Sequence, residues 1–324
     1  MAMTLDGSNG VTFNDASLQA AAASPYVLKN RIINGAMQIW QRGTSITTNG
    51  AYTADRWTEV SGNSNQHIQS TDAPTNFGYS MQIIGVGANM NQRIESLNCQ
   101  DLSGQTITVS FWVKNTSGTD GLILGLYYPN TADNFGSLTQ IGSNITISSN
   151  PSSSWTQYTT TFTSLPAGSK NGLSLYLARL GTGAVSTTWY LTGVQLEIGS
   201  TATPFERRLY SQELINCQRY CRTIGPAGGD GAMFSGVAYL TNNIIASYTF
   251  PTMRVAPSAT ITSATSLDVV VGNNVIHNNN TFSISELTPN SGQPAVSNSG
   301  TPYTIGHGAV IRSDGMAIIL SAEL

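Results

Sequence analysis

The sequence predicts a mainly β protein: a jelly-roll β-sandwich, then a short connecting helix, then a second small β domain. Three observations predict it. Of 324 residues only 10% are charged, 14 Lys and Arg against 17 Asp and Glu, where soluble domains carry about 25%. The polarity comes instead from 38 Thr, 37 Ser and 27 Asn, which with 32 Gly give the turn-rich texture of strands and tight connections. Through the middle of the chain, apolar residues recur with period 2, as on half-buried strands.

Residues 1–28 read as an attachment or oligomerisation segment. Leu5 to Gly10 is turn chemistry, Val11 to Phe13 is a short extended run, and Ala16 to Ala23 is helix-compatible. With so few large apolar residues, the segment must gain stability by packing on further copies of itself or on a docking partner.

Residues 29–203 carry the alternation. Ile107, Val109, Phe111 and Val113 share one face of a strand. Leu122, Leu124 and Leu126 repeat the pattern, as do Tyr158, Thr160 and Phe162, then Leu173, Leu175 and Leu177, then Val194 and Leu196. Such strands, separated by Gly, Asn, Ser and Pro clusters, assemble into a sandwich.

Residues 204–225 read as the helix. Thr203 is an N-cap, Pro204 suits the first helical position, and Glu206 completes a capping box. Tyr210, Leu214, Cys217, Cys221 and Ile224 follow as a heptad-like seam, and Gly225–Pro226 supplies the stop. So short a seam fits an amphipathic helix packed on its own domains or a subunit interface. Three cysteines are too few for a disulfide framework, so Cys217 and Cys221 read as packing thiols. Residues 226–324 are β again, with strands expected over Ser235–Phe250, Ala259–Val271 and Ala309–Leu320. Asn273, Asn274, Asn278, Asn279, Asn280 and Asn290 mark turns or exposed polar loops.

The same residues narrow the function. No basic stripe exists to neutralise phosphates, and no run approaches the roughly 20 apolar residues of a membrane span. The start, MAMTLDGSNG, lacks the n-region and h-region of a secretory signal, so assembly in a cytoplasm is expected. His67, His277 and His307 are isolated, and no metalloprotease, Cys-x-x-Cys, nucleophile-elbow or Walker motif is present. No catalytic residue, metal or cofactor is therefore assigned. Asp55 and Glu59 are the best local carboxylate pair for glycosidase chemistry, but beside Trp57 in a strand they read as exterior positions, with the Trp in the core.

Aromatic residues are more informative. Strand parity puts Trp112 and Lys114 opposite Val109, Phe111 and Val113, Tyr127 opposite Leu126, Tyr176 opposite Leu175 and Leu177, and Trp189 opposite Tyr190 and Val194. Trp112, Tyr127, Tyr176 and Trp189 are thus a candidate glycan platform on one sheet face, with Gln195 as a partner for sugar hydroxyls. The same rings equally suit burial against a neighbouring subunit or the second sheet.

The stretch from TITVSFWVKNTSG through WTQYTTTF and NGLSLYLARLG to TTWYLTGVQLEIG resembles carbohydrate-binding modules with a galactose-binding-like jelly roll. Several such modules hold a structural calcium, and Gly193 stands where their last strand often carries an acidic residue. More widely, four stretches resemble bacteriophage tail fibre and receptor-binding proteins. They are LDGSNGVTFNDASLQ, KNRIINGAMQIWQRGTS followed by YTADRW, GVQLEIGSTATPFERRLYSQELINCQRYCRTIG, and FPTMRVAPSATIT. That resemblance implies a non-enzymatic virion protein of the tail, a homotrimer joined to other tail or baseplate proteins through its N-terminal segment and offering β domains to a host-surface glycan. The alternative is a capsid-attached head fibre or decoration protein in which the sandwich is a spacer. A glycan depolymerase is disfavoured, because such phage enzymes resemble long parallel β-helices and this chain shows no short repeat of that kind.

Overall fold

The computed structural model describes residues 4–6, 10–12, 18–19, 29–63, 65–117, 121–149, 151–179, 187–225, 230–262, 267–272, 274–276, 280–314 and 317–324. Two antiparallel sheets form the sandwich. The first, here the Trp112 sheet, runs in the order Thr156–Phe162, Ile107–Ser117, Thr187–Ile198, Ser80–Gly85, Gln66–Ser70, Ser45–Ile46. The second, the Tyr176 sheet, runs Asn134–Gln140, Leu122–Thr131, Leu173–Arg179, Asn89–Ile94, Thr58–Glu59, with Ile145–Ser148 also pairing Leu122–Thr131. Chain neighbours are mostly not sheet neighbours, which is the jelly-roll crossover pattern.

The expected alternation builds the core. Val109, Phe111 and Val113 cluster with Leu124, Leu126, Leu175 and Leu177 between the sheets, around fully buried Trp57 and Trp189. Each such side chain contributes about 1.5–3 kcal/mol of burial. A second core, with Phe234, Val269, Phe282, Val296, Ile311 and Ile318, supports a separate C-terminal β domain. Among the described residues no helix is long and apolar enough to cross a membrane.

The helix is shorter than its sequence signals. It spans only Tyr210–Gln218, and Leu209 at its N-cap offers no side-chain cap. The expected cap is spent elsewhere: Glu206 accepts the backbone N–H of Lys29 (2.9 Å) and of Asn30 (3.0 Å), and the Thr203 hydroxyl donates to Glu197 (2.6 Å). At the other end, Cys221–Ile224 is a strand paired antiparallel with Ala317–Ser321. Cys221 and Ile224 therefore leave the proposed seam. Cys217 and Cys221 are buried free thiols, and Ile224 packs on the C-terminal core. Of the five expected interface residues, only Tyr210 is exposed, and Leu214 is half-buried.

The C-terminal domain also departs from expectation. Ser235–Phe250 divides into Asp230–Leu240, Asn243–Ala246 and Tyr248–Thr249. Asn280–Thr288 and Ser291–Asn298 form a hairpin where loops were expected, with Phe282 and Val296 in the core. Asn280 is structural: its amide donates to the Leu267 and Ile276 carbonyls and accepts from Asn298 and Tyr303. Asn290 does lie in a turn, whereas Asn273, Asn278, Asn279 and His277 fall outside the described residues. In the N-terminal segment, Thr4–Asp6, Gly10–Thr12 and Leu18–Gln19 form a small antiparallel sheet, so the described part of Ala16 to Ala23 is extended.

Candidate functional site

The KNRIINGAMQIWQRGTS and YTADRW stretches prove to be architecture. Asn34, fully buried with φ +56°, accepts the Gln38 and Ile39 amides and donates to the Ile39 and Asp55 carbonyls. Asparagine suits a left-handed turn because its short amide bonds the local backbone. Asp55 and Glu59 are both fully buried, not exterior. Burial raises the Asp55 pKa, against hydrogen bonds from Gln41 and the charge of Arg42. Burial also works to raise Glu59, but bonds from His67, Ser61 and Asn65 outweigh it and hold the carboxyl below its usual value.

These segments also join the domains. Arg56, fully buried, pairs with Glu323 and lies 3.6 Å from the Tyr220 ring centre. Arg42 pairs with the same carboxylate at 3.1 Å, and Arg219 with Glu95 at 3.1 Å. Gln41 donates to the Cys221 carbonyl (2.7 Å) and Tyr52 to that of Leu324 (3.1 Å). Burial pushes the Cys221 thiol up to about 12 and Cys217 well above its ordinary value, so both remain neutral packing groups at this junction.

The expected aromatic platform is divided by the fold. Trp112 lies on the outer side of its own sheet, half-buried, and Tyr127 and Tyr176 lie on the outer side of the opposite sheet. Trp189 is fully buried in the core. The cause is a β-bulge: Thr192 pairs with Trp112 but Gln195 with Ser110, so one extra residue separates the two halves of this strand. Counting back by twos from Val194 therefore reaches the wrong face, and Tyr190 is the outward residue. Gly193 makes the bulge possible. Its φ is +62°, and a Cβ there would come within 2.8 Å of Phe77 and 2.9 Å of Trp112. Gln195 is buried too: its amide donates to Glu197 (2.8 Å) and accepts the Glu206 N–H (2.7 Å), which fastens residues 203–206 over the sheet.

On the Trp112 sheet the outward group is Tyr190, Trp155, Lys114 and Asp72. Asp72 pairs with Lys114 and accepts from the Trp155 indole (3.0 Å), and Tyr190 accepts from Gln82 (2.9 Å). Lys114 sits 5.1 Å from the Tyr190 ring centre and holds the Asp72 carboxyl below its usual pKa. These groups satisfy one another.

The Tyr176 sheet offers the more open chemistry. Tyr127 and Tyr176 meet edge to face with centroids 6.4 Å apart. Tyr127 donates to Asn144 (3.0 Å), which also accepts from Gln140 (2.7 Å). The Tyr176 hydroxyl lies 2.9 Å from the Asn89 amide oxygen in the orientation that satisfies both. Burial, with Tyr127 and Glu59 near by, raises the Tyr176 pKa and keeps its hydroxyl a donor. In register beside Tyr176 stand Gly125 on one strand and Asn91 on the other. Rings bordered by amides and small residues can stack on the apolar face of a sugar and bind its hydroxyls. Parity found Tyr127 and Tyr176. It missed Asn91, Asn144 and Gln140, which only sheet pairing brings beside them.

No family model and no curated protein sequence matches the chain. Among solved structures, the chain is similar to the enzymatically active domain of bacteriophage CBA120 tailspike protein 4, with 15% identity over 52% of this chain and a TM-score of 0.35. The match spans only 21% of the tailspike chain. A xylan-binding domain (CBM22-1) from Paenibacillus barcinonensis is similar at 14% identity, over 49% of this chain and 94% of its own, with a TM-score of 0.33. A putative sugar binding protein from Bacteroides thetaiotaomicron gives 14% identity, 53% and 100% coverage, and a TM-score of 0.37.

Proposed function

We propose that the protein is a virion fibre component of a bacteriophage tail that binds a host-surface glycan through its jelly roll, with no covalent step. The observation that carries the binding reading is the Tyr127–Tyr176 pair, half-buried and bordered by the amides of Asn89, Asn91, Gln140 and Asn144. The sequence resemblance to tail fibre proteins supports the virion assignment, the homotrimer, and an N-terminal segment joined to tail or baseplate partners. Three copies on one axis would raise avidity for a repeated sugar by about 10² to 10⁴. Asp55 and Glu59 support binding without catalysis, since both carboxylates are buried and engaged by neighbours.

A screen against host-surface polysaccharides tests the binding reading. Wild type is expected to bind, and the variant carrying Tyr127→Ala and Tyr176→Ala is not. Release of reducing ends from the bound polysaccharide would replace the binding reading with an enzymatic one. Cryo-electron microscopy of the particle tests the assignment: a trimer on the tail agrees with it, and density on the capsid overturns it.

A further inference from the structure

We propose that the glycan site is a groove shared by two domains, running from Tyr127 across Tyr176 and Asn91 into the cleft between the jelly roll and the C-terminal domain. This rests on the glycan-binding reading above and adds the path of the sugar chain and its length selectivity. The path follows from register. Gly125 pairs with Tyr176, Tyr176 with Asn91, and Asn91 with Thr58, so the four lie in one row across four strands. Three interstrand spacings make that row about 14 Å long, which suits an oligosaccharide better than a single ring.

At the head of the row, glycine is required. A Cβ on Gly125 would stand 2.6 Å from the Asn144 amide oxygen and 2.9 Å from the Tyr127 ring. Any side chain there would push both away from Tyr176. In the middle lies an unmet acceptor. Asn91 is 6% exposed and donates to the Ser174 hydroxyl (2.6 Å), yet its buried Oδ1 has no partner. A buried acceptor without a donor is costly, and binding that opens this closed atom to a sugar hydroxyl would supply the donor.

At the far end, Thr58 lines a cleft of about 540 Å³, together with Asn49, Tyr52, Ser258, Ser321 and Leu324. That volume lies in the usual range for ligand sites. Ser258 and Ser321 belong to the C-terminal domain, so both domains border the cleft. The charged groups at its wall are already engaged: Glu59 with His67, Glu323 with Arg42 and Arg56, and Arg93 with the Leu324 carbonyl. The uncharged lining donates inward, Tyr52 to the Leu324 carbonyl and Ser258 to that of Ser321, and its hydroxyl oxygens keep lone pairs for ligand hydroxyls, which assigns the ligand as a neutral oligosaccharide. The buried Arg56–Glu323 pair holds the two walls together, so the groove is formed before the ligand arrives and less ordering entropy opposes binding.

The experiment is a titration of oligosaccharides of increasing length, cut from the host-surface polysaccharide, against the full chain and three variants. Wild type should bind long chains more tightly than disaccharides. Asn91→Ala should weaken binding about tenfold, the fold-change for one lost buried hydrogen bond. Ser258→Trp, on an exposed edge strand, should fill the cleft, weaken long chains by about tenfold and leave disaccharides unchanged. Equal affinity of Ser258→Trp and wild type at every length overturns the shared groove. So does an Asn91→Ala variant that melts like wild type and binds like it. If Tyr127→Ala abolishes binding while the other two variants change nothing, the glycan reading stands and the groove falls. If wild type binds no oligosaccharide of any length, the glycan reading itself falls.

Discussion

The domain junction and the Tyr176 face use opposite chemistries. At the junction the chain concentrates its scarce charge: Arg42, Arg56, Asp55 and Glu323 meet almost out of contact with water, and Arg219 meets Glu95 beside them. On the Tyr176 face, rings, amides and a glycine do the work. Buried charges tolerate little error in geometry, because a lost partner leaves an uncompensated ion. They suit a joint that must hold one arrangement. Neutral rings and amides lose little by waiting in water and are little screened by salt, which suits the glycan-binding surface proposed above. On that reading, low overall charge divides labour between holding and recognising.

The sharpest way to break that comparison is Arg56→Ala. It leaves Glu323 with Arg42 as its one remaining cation and removes the cation from above Tyr220, so a loss of about 3 kcal/mol, the low end for breaking a buried pair, is expected in urea unfolding. A loss below about 1 kcal/mol would show that the junction does not depend on its ions. Next comes Tyr176→Ala, which should reduce glycan affinity about tenfold while the melting temperature stays near wild type. A fall in stability matching that at the junction would make Tyr176 structural.

Acid titration separates the two carboxylates of the YTADRW region. Glu59 is held below its usual value of 4.5, so its contribution is present above that value and is lost as the pH falls through the depressed one. Asp55, raised above 3.8 by burial, acts in the opposite sense: protonation as the pH falls through its raised value favours the folded state. Urea midpoints measured from about pH 6 down to about pH 3 should therefore decline less steeply in Glu59→Gln than in wild type. An unchanged slope would remove Glu59 from the acid limb. The smallest effect on the monomer is expected from Ile215→Asp, since this helix residue is 58% exposed. Stability should move by no more than about 0.5 kcal/mol. Light scattering on wild type and this variant then tests the proposed trimer: a wild-type trimer that the variant converts to monomer agrees with the helix face at the axis, and a variant that stays trimeric places the axis elsewhere.

The residues show why some of this was legible in the sequence. Alternation in Ile107–Val113, Leu122–Leu126 and Leu173–Leu177 is a local property, and the core uses it as written. Trp57 was also read as core, and is, although it follows a turn that holds Asp55 and lies outside the expected strand, which is only Thr58–Glu59. Trp189 was not, because one extra residue beside Gly193 reverses parity between it and Val194. No local signal distinguishes that glycine from those in turns. The carboxylates of Asp55 and Glu59 look like surface groups until Gln41, Arg42 and His67 arrive from other strands.

The sequence by itself determined the class of fold, the alternating strands of the jelly roll and the outward parity of Tyr127 and Tyr176, since period, turn chemistry and composition act over a few residues. Tertiary structure decided everything that depends on a partner distant in sequence. It took the capping groups Thr203 and Glu206 away from the helix, because Glu197 and the Lys29 and Asn30 amides bind them first. It converted Cys221–Ile224 from helix to strand, because Ala317–Ser321 satisfies their backbone groups. It also brought Thr58 and Ser258 to one cleft, with Asn91 beside Thr58 in register. A side chain's neighbours are set by which strands pair, and pairing is a property of the whole chain.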